Sequence, residues 1–211
     1  MTRSRTLDLG RWTALWSGLG ARGDGLSVFT RLATAYAEPT RSYHTAAHIQ
    51  DCLEQLDLSR RSARHPIRVE AALWFHDAIY QPARSDNEDR SADLARTALD
   101  DAEVPSEVTD HIAELIRATR HDAVPSEPDA ALLCDIDLSI LGRSREVFDR
   151  FERQIRREYA WVSEMTYRSA RSELLGEFLR RPSIYQTVEF RERYERRARA
   201  NLARLLKELG A

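Results

Sequence analysis

The sequence predicts an all-α protein, and three observations carry that prediction. Apolar residues recur at helical spacing in one segment after another. No segment alternates at period two for long enough to make a strand. Glycines and prolines are few, 8 and 7 in 211 residues, and most fall between the periodic segments. There is no internal repeat, no low-complexity run and nothing resembling a flexible interdomain linker. One helical domain over residues 1–211 is therefore expected, with a core over about 26–142 and C-terminal helices over 145–209 packed on it.

Leu9, Trp12, Leu15 and Trp16 mark a first short helix from about Asp8 to Gly18. Gly18, Gly20, Gly23 and Gly25 then break the chain. A second helix is expected from about Leu26 to Ala37, stopped by Glu38-Pro39, because proline disfavours helix at the residue before it. From Arg41-Ser42-Tyr43-His44-Thr45-Ala46-Ala47-His48 a third helix runs to about Leu58, on Ile49, Cys52, Leu53 and Leu56. His44 and His48 then share a face, and His48 points inward with Cys52 and Leu56.

The stretch Ala71–Tyr80 is read as the central helix, with Val69, Leu73, His76 and Tyr80 along one face. Ser85 and Glu88 have the spacing of a capping box opening the next helix, to Asp101. Pro105 opens another, on Val108, Ile112, Leu115 and Ile116, ending near Arg120-His121-Asp122. Ala130 to Leu141 is short and strongly apolar, with Gly142 as its expected C-terminal cap. Phe148, Phe151, Ile155, Tyr159 and Val162 make a long amphipathic helix. Two more follow, about Tyr167–Leu179 and Phe190–Leu209, parted by Arg180-Arg181-Pro182.

A formal charge of −2 offers no electrostatic basis for nucleic-acid binding or an anionic membrane. No segment approaches the ~20 apolar residues that a membrane helix needs. The stretch Met1–Asp8 has no apolar run after its charges, so no signal peptide is expected and a cytoplasmic location is. Cys52 and Cys134 read as buried, reduced thiols.

His48, His76, Asp77 and Asp137 each fall on or beside an apolar helix face. Buried carboxylates are found paired or bound to metal, because an isolated one costs several kcal/mol or more. Two imidazoles and two carboxylates suit one divalent cation, Mn, Fe, Co, Ni, Mg or Zn, with room for water. Each residue alone also fits a hydrogen-bonded core position. The adjacent pair His76-Asp77 inside an aromatic and aliphatic run, and two acids within Leu132-Leu133-Cys134-Asp135-Ile136-Asp137-Leu138, favour the metal.

The order His48, Phe75-His76-Asp77, Asp137 resembles the H…HD…D pattern of the HD-domain superfamily, all-helical metal-dependent phosphohydrolases. Tyr43-His44-Thr45-Ala46-Ala47-His48 is similar to the Y-H-x-x-x-H opening of cyclic-nucleotide phosphodiesterases, which share that core. From about Leu9 to Leu206 the chain more closely resembles an uncharacterised bacterial group of predicted HD phosphohydrolases. The shared blocks are Glu38–His44, Ala72–Tyr80, Asp86-Asn87-Glu88 and Asp135–Leu138. The resemblance implies metal ligation by His48, His76, Asp77 and Asp137, with Asp135 as the fallback, and a proton-donor role for His44. It offers Glu88 as the residue that positions or deprotonates the attacking water. The second histidine that phosphodiesterases carry soon after the His-Asp pair is missing from Ala78–Asp86, so one metal ion is expected, a second being the alternative.

His121 reads either as a contact for substrate phosphate or a second metal, or as a positive group complementing a helix C-terminus. Of Arg41, Arg120, Arg171 and Arg181, Arg41 lies beside the histidines and is the best-placed phosphate clamp. The expected activity is hydrolysis of a small phosphorylated metabolite, a nucleotide phosphomonoester or phosphodiester, by metal-activated water. A di-iron oxygenase and a non-catalytic nucleotide-binding module are the alternatives. The partner is a small-molecule substrate, and the C-terminal helices suit packing within the domain or across a homodimer.

Overall fold

The computed structural model describes residues 6–210, so residues 1–5 of the N-terminal stretch read for a leader lie outside the described residues. The protein is all-α, with no strand among the described residues. It groups into two compact units, Met1–Cys134 and Asp135–Ala211. No helix is long and apolar enough to cross a membrane among the described residues.

The first unit contains α1 (Leu9–Gly18), α2 (Leu26–Ala35), α3 (Ala46–Ser59), α4 (Pro66–Phe75), α5 (Asn87–Asp101) and α6 (Ser106–Ala118). It also holds most of α7 (Pro128–Asp137), within which the boundary falls. Every residue of α4 from Val69 to Phe75 is buried. A helix apolar on all sides can be stable only in the interior, so the neighbours assemble around it. The Trp12 ring on α1 sits 5.2 Å from Trp74 and 6.0 Å from Phe75. Glu70 is the charged exception, and its carboxylate is held by Arg11 and Arg60, each at 2.7 Å. Gly25 precedes α2 with φ +65°, and a Cβ there would come within 2.7 Å of the Trp16 ring, so both backbone and packing require glycine.

The central helix ends at Phe75, five residues short of Tyr80. His76 and Asp77 form the turn that follows. Non-local donors take the carbonyls a longer helix would use. The Arg41 guanidinium donates to Asp77 O at 2.5 Å and Ala78 O at 3.0 Å, and Tyr36 Oη donates to Trp74 O at 2.9 Å. The capping box does not form either. Helix α5 begins at Asn87, so Ser85 lies outside it. The Asn87 side chain accepts from Gln81 N and donates to Gln81 O, both at 3.0 Å, and fastens the incoming loop.

Two further boundaries move. Helix α3 starts at Ala46, which leaves His44 in the preceding turn, so His44 and His48 do not share a helix face. Helix α6 stops at Ala118, and His121 lies beyond it with φ +58°, in the left-handed region.

The second unit opens with the end of α7 and a 3-10 turn over Leu138–Gly142. Helices α8 (Arg145–Glu158), α9 (Glu164–Arg180), α10 (Val188–Phe190) and α11 (Arg196–Leu209) follow, with a π turn over Arg191–Glu195 between the last two. Gly142 is no left-handed cap. A Cβ there would meet Tyr194 Cβ at 2.5 Å, so the glycine permits close packing. Arg171 is not an open phosphate clamp, because its side chain pairs with Glu152.

Glu195 makes this unit acid-sensitive. Burial pushes its carboxyl up, but N–H donors from Ile184 and Tyr185 at 3.1–3.2 Å and the Arg199 guanidinium at 2.7 Å outweigh burial and hold it below its ordinary value. A group depressed on folding stabilises above its unfolded value, and that stability is lost as pH falls through the folded one. Glu195→Gln is expected to remove about 1–2 kcal/mol at neutral pH and much less under strongly acidic conditions. Urea unfolding of both proteins from pH 7 down to pH 3 measures the difference; a constant gap would contradict it.

Candidate metal centre

His48 lies in the first turn of α3 and His76 just past α4, with side chains only 3% and 1% exposed. Their Nε2 atoms face each other at 3.2 Å. Asp77 Oδ2 completes a triangle, 3.1 Å from His76 Nε2 and 3.4 Å from His48 Nε2. His76 Nδ1 lies 3.0 Å from Leu73 O. A carbonyl only accepts, so Nδ1 carries the proton and Nε2 turns its lone pair to the triangle.

These spacings are those of ligands around one ion. At a metal–ligand distance of about 2.1 Å, neighbouring ligand atoms lie about 3.0 Å apart in an octahedron and about 3.4 Å apart in a tetrahedron. A second observation agrees. Asp77 Oδ2 is buried and makes no hydrogen bond, despite its closeness to the two imidazole nitrogens. A buried carboxylate oxygen without a donor is costly, and a cation satisfies it. Burial pushes the Asp77 carboxyl up, but with the imidazoles protonated the charges of His76, His44 and His48 and a hydrogen bond donated by His76 outweigh burial and hold it well below the usual carboxylate range.

Cys52 is the member the sequence reading leaves out. It follows His48 by one helical turn, and its Sγ lies 3.7 Å from both ring nitrogens of His48. His48, Cys52 and His76 offer ligand atoms within 4.8 Å of one another. The i, i+4 spacing of His48 and Cys52 is the signal that finds it.

No family model matches the chain, and no curated protein or solved structure matches it. What the group can do is thus decided by its own chemistry. The two imidazoles and the Asp77 carboxylate, with the Cys52 thiol beside His48, are donor types that suit a divalent transition metal.

The remaining candidates are placed as follows. The His44 ring stacks on Tyr80 at 4.0 Å and lies 6.0 Å from the His48 ring. Arg41, expected to clamp phosphate, has a side chain 1% exposed. Its fork is spent on Asp77 O, Ala78 O, His44 O and Glu38, between the Tyr36 and Tyr80 rings. Arg41 therefore positions the segments that carry His44 and His76-Asp77 rather than presenting itself to a ligand. Glu88, in the first turn of α5, is partly exposed and 3.9 Å from Arg120 Nε. Arg120 also pairs with Asp89 at 2.7 Å.

Asp137 is the last residue of α7 and belongs to the second unit. The fallback, Asp135, is fully engaged within that unit. It accepts from Gln186 N at 2.8 Å and from Thr187 N and Oγ1 at 2.7 Å, which leaves its carboxylate a structural anchor for the segment before α10.

Proposed function

We propose that this protein is a metal-dependent phosphohydrolase of the HD type, acting on a small phosphorylated metabolite with a nucleotide as the substrate class. The observation that supports it is the buried triangle of His48 Nε2, His76 Nε2 and Asp77 Oδ2, with edges of 3.1–3.4 Å. By its place in the H…HD…D order, Asp137 is the sequence's candidate for a fourth ligand. A divalent ion held there supplies Lewis-acid polarisation of a phosphoryl oxygen and lowers the pKa of water toward neutrality.

The chain's own residues take the other roles. His44 gives a proton to the leaving oxygen, with its ring plane set by the Tyr80 stack. Arg41 holds the backbone of His44 and Asp77 at once and so fixes acid and ligand relative to each other. Glu88 orients the attacking water, and His121 contacts the substrate phosphate.

The test is turnover of a panel of nucleotide and sugar phosphate esters with added Mn, Co, Ni or Mg. His44→Ala is expected to lower kcat by about 10²–10⁴ while metal content stays unchanged. No turnover with any metal, in protein that holds one, would sink the proposal. About two irons per chain with oxygen consumption would replace it with an oxygenase. Nucleotide binding untouched by loss of His76 and Asp77 would replace it with a binding module.

A further inference from the structure

The geometry points to a second transition-metal site at the other end of α4, formed by His65 and His111 and backed by Asp129. His65 caps the N-terminus of α4, and His76 follows its C-terminus. A helix of this length separates the two by about 15 Å. His65, His111 and Asp129 offer ligand atoms within 4.8 Å of one another, and the two imidazole rings meet edge to face at 5.3 Å. His65 and His111 line a cavity of about 400 Å³ together with Glu127.

Asp129 sets the tautomer of His65. Its carboxylate is 0% exposed and accepts the backbone N–H groups of Arg64 at 2.6 Å and His65 at 2.9 Å. His65 Nδ1 lies 2.9 Å from the same carboxylate, so Nδ1 carries the proton and Nε2 keeps its lone pair. A carboxylate behind a histidine is the arrangement that orients metal-binding imidazoles and raises their basicity. The His65 side chain is 47% exposed, so an ion can reach it. His111 Nε2 stands 3.9 Å from Glu127 Oε2, which accepts from Ala130 N at 2.5 Å, so Glu127 adds negative charge beside the site while it holds the start of α7.

Arg64 and Arg68 both line the cavity, and Arg68 opposes the site directly. Arg68 Nη1 lies 3.4 Å from His111 Nδ1, and guanidinium only donates, so Nδ1 accepts there and Nε2 holds the proton. To bind an ion through Nε2, His111 shifts its proton to Nδ1 and gives up Arg68. The ring keeps one proton throughout. The contact is long, and Arg68 retains Glu107 at 3.1 Å, so the exchange is a modest one. An ion held this way pins the start of α4 to α6.

Zinc titration of the metal-free full chain tests the site, with zinc counted per chain after dialysis. His65→Ala and His111→Ala are each expected to weaken one equivalent by about tenfold or more. Arg68→Gln is expected to tighten that same equivalent several-fold, a gain that general misfolding would not produce. His76→Ala is expected to leave it in place. Equal zinc content and affinity in wild type, His65→Ala and His111→Ala would overturn the inference. A single equivalent removed by His76→Ala alone would also overturn it and leave the hydrolase centre standing. A single equivalent removed by both His65→Ala and His111→Ala but kept by His76→Ala would uphold this site and count against that centre.

Discussion

Arg41→Leu is expected to lower the melting temperature by about 10 °C. The reason is the fate of the backbone it serves. Arg41 donates to the carbonyls of His44, Asp77 and Ala78 from a position sealed from water. A leucine fills part of the volume and leaves those acceptors without donors. Each unsatisfied carbonyl costs about 1–3 kcal/mol, and because the His44 and Asp77 contacts are only partly buried the sum falls at the low end, about 3–4 kcal/mol. For a chain of this size each kcal/mol shifts the midpoint by about 2–4 °C. Arg41→Lys keeps the charge but not the planar fork, and is expected to recover less than half of the loss. Thermal melts followed by circular dichroism measure both variants. A shift under about 2 °C for the leucine variant would show that the carbonyls find other partners. The same variant is expected to weaken metal binding, because the turn carrying His76 and Asp77 loses the fork that ends α4.

Asp77→Asn is expected to separate ligand from scaffold. In metal-free protein with the imidazoles neutral, the substitution should change the midpoint by less than about 3 °C, because Oδ2 then makes no hydrogen bond that would be lost. With metal the outcome differs. An ion present at about 100 times its dissociation constant stabilises the folded chain by about 2.7 kcal/mol. That corresponds to a rise of about 5–10 °C in the wild type. Asp77→Asn should abolish most of that rise, because an amide neither carries the charge nor matches the carboxylate as a ligand. A large fall in the metal-free midpoint, together with an undiminished metal-induced rise, would make Asp77 a structural acid and undo the assignment.

Much of the helical order is legible in the sequence because helix formation reports on near neighbours. The apolar spacing of Trp12, Leu15 and Trp16, or of Ile112, Leu115 and Ile116, needs only a local face to bury. The inward direction of His48 follows from the same periodicity, and His48 is indeed buried. Periodicity is silent on where a helix stops when a distant side chain stops it. The 71–80 stretch reads as one helix, yet Arg41 and Tyr36, more than 30 residues earlier, take its carbonyls and turn the chain at His76. Ser85 and Glu88 have the spacing of a cap, but Asn87 wins because its side chain satisfies both Gln81 N and Gln81 O. Asp135 and Asp137 lie two residues apart in one apolar run, and by sequence only the resemblance ranks Asp137 first, with Asp135 as its fallback. Only the second unit's fold hands the Asp135 carboxylate to the backbone of Gln186 and Thr187.

By itself, then, the sequence determined the all-α class and the residue types available for a metal, since both follow from local spacing and composition. The tertiary structure alone decided which atoms meet. It set His48 Nε2, His76 Nε2 and Asp77 Oδ2 at 3.1–3.4 Å, drew Cys52 to their flank and turned Arg41 from a candidate ligand clamp into an internal brace. Those outcomes depend on contacts between segments far apart in the chain, where hydrogen-bond satisfaction and the exclusion of water outweigh any local preference.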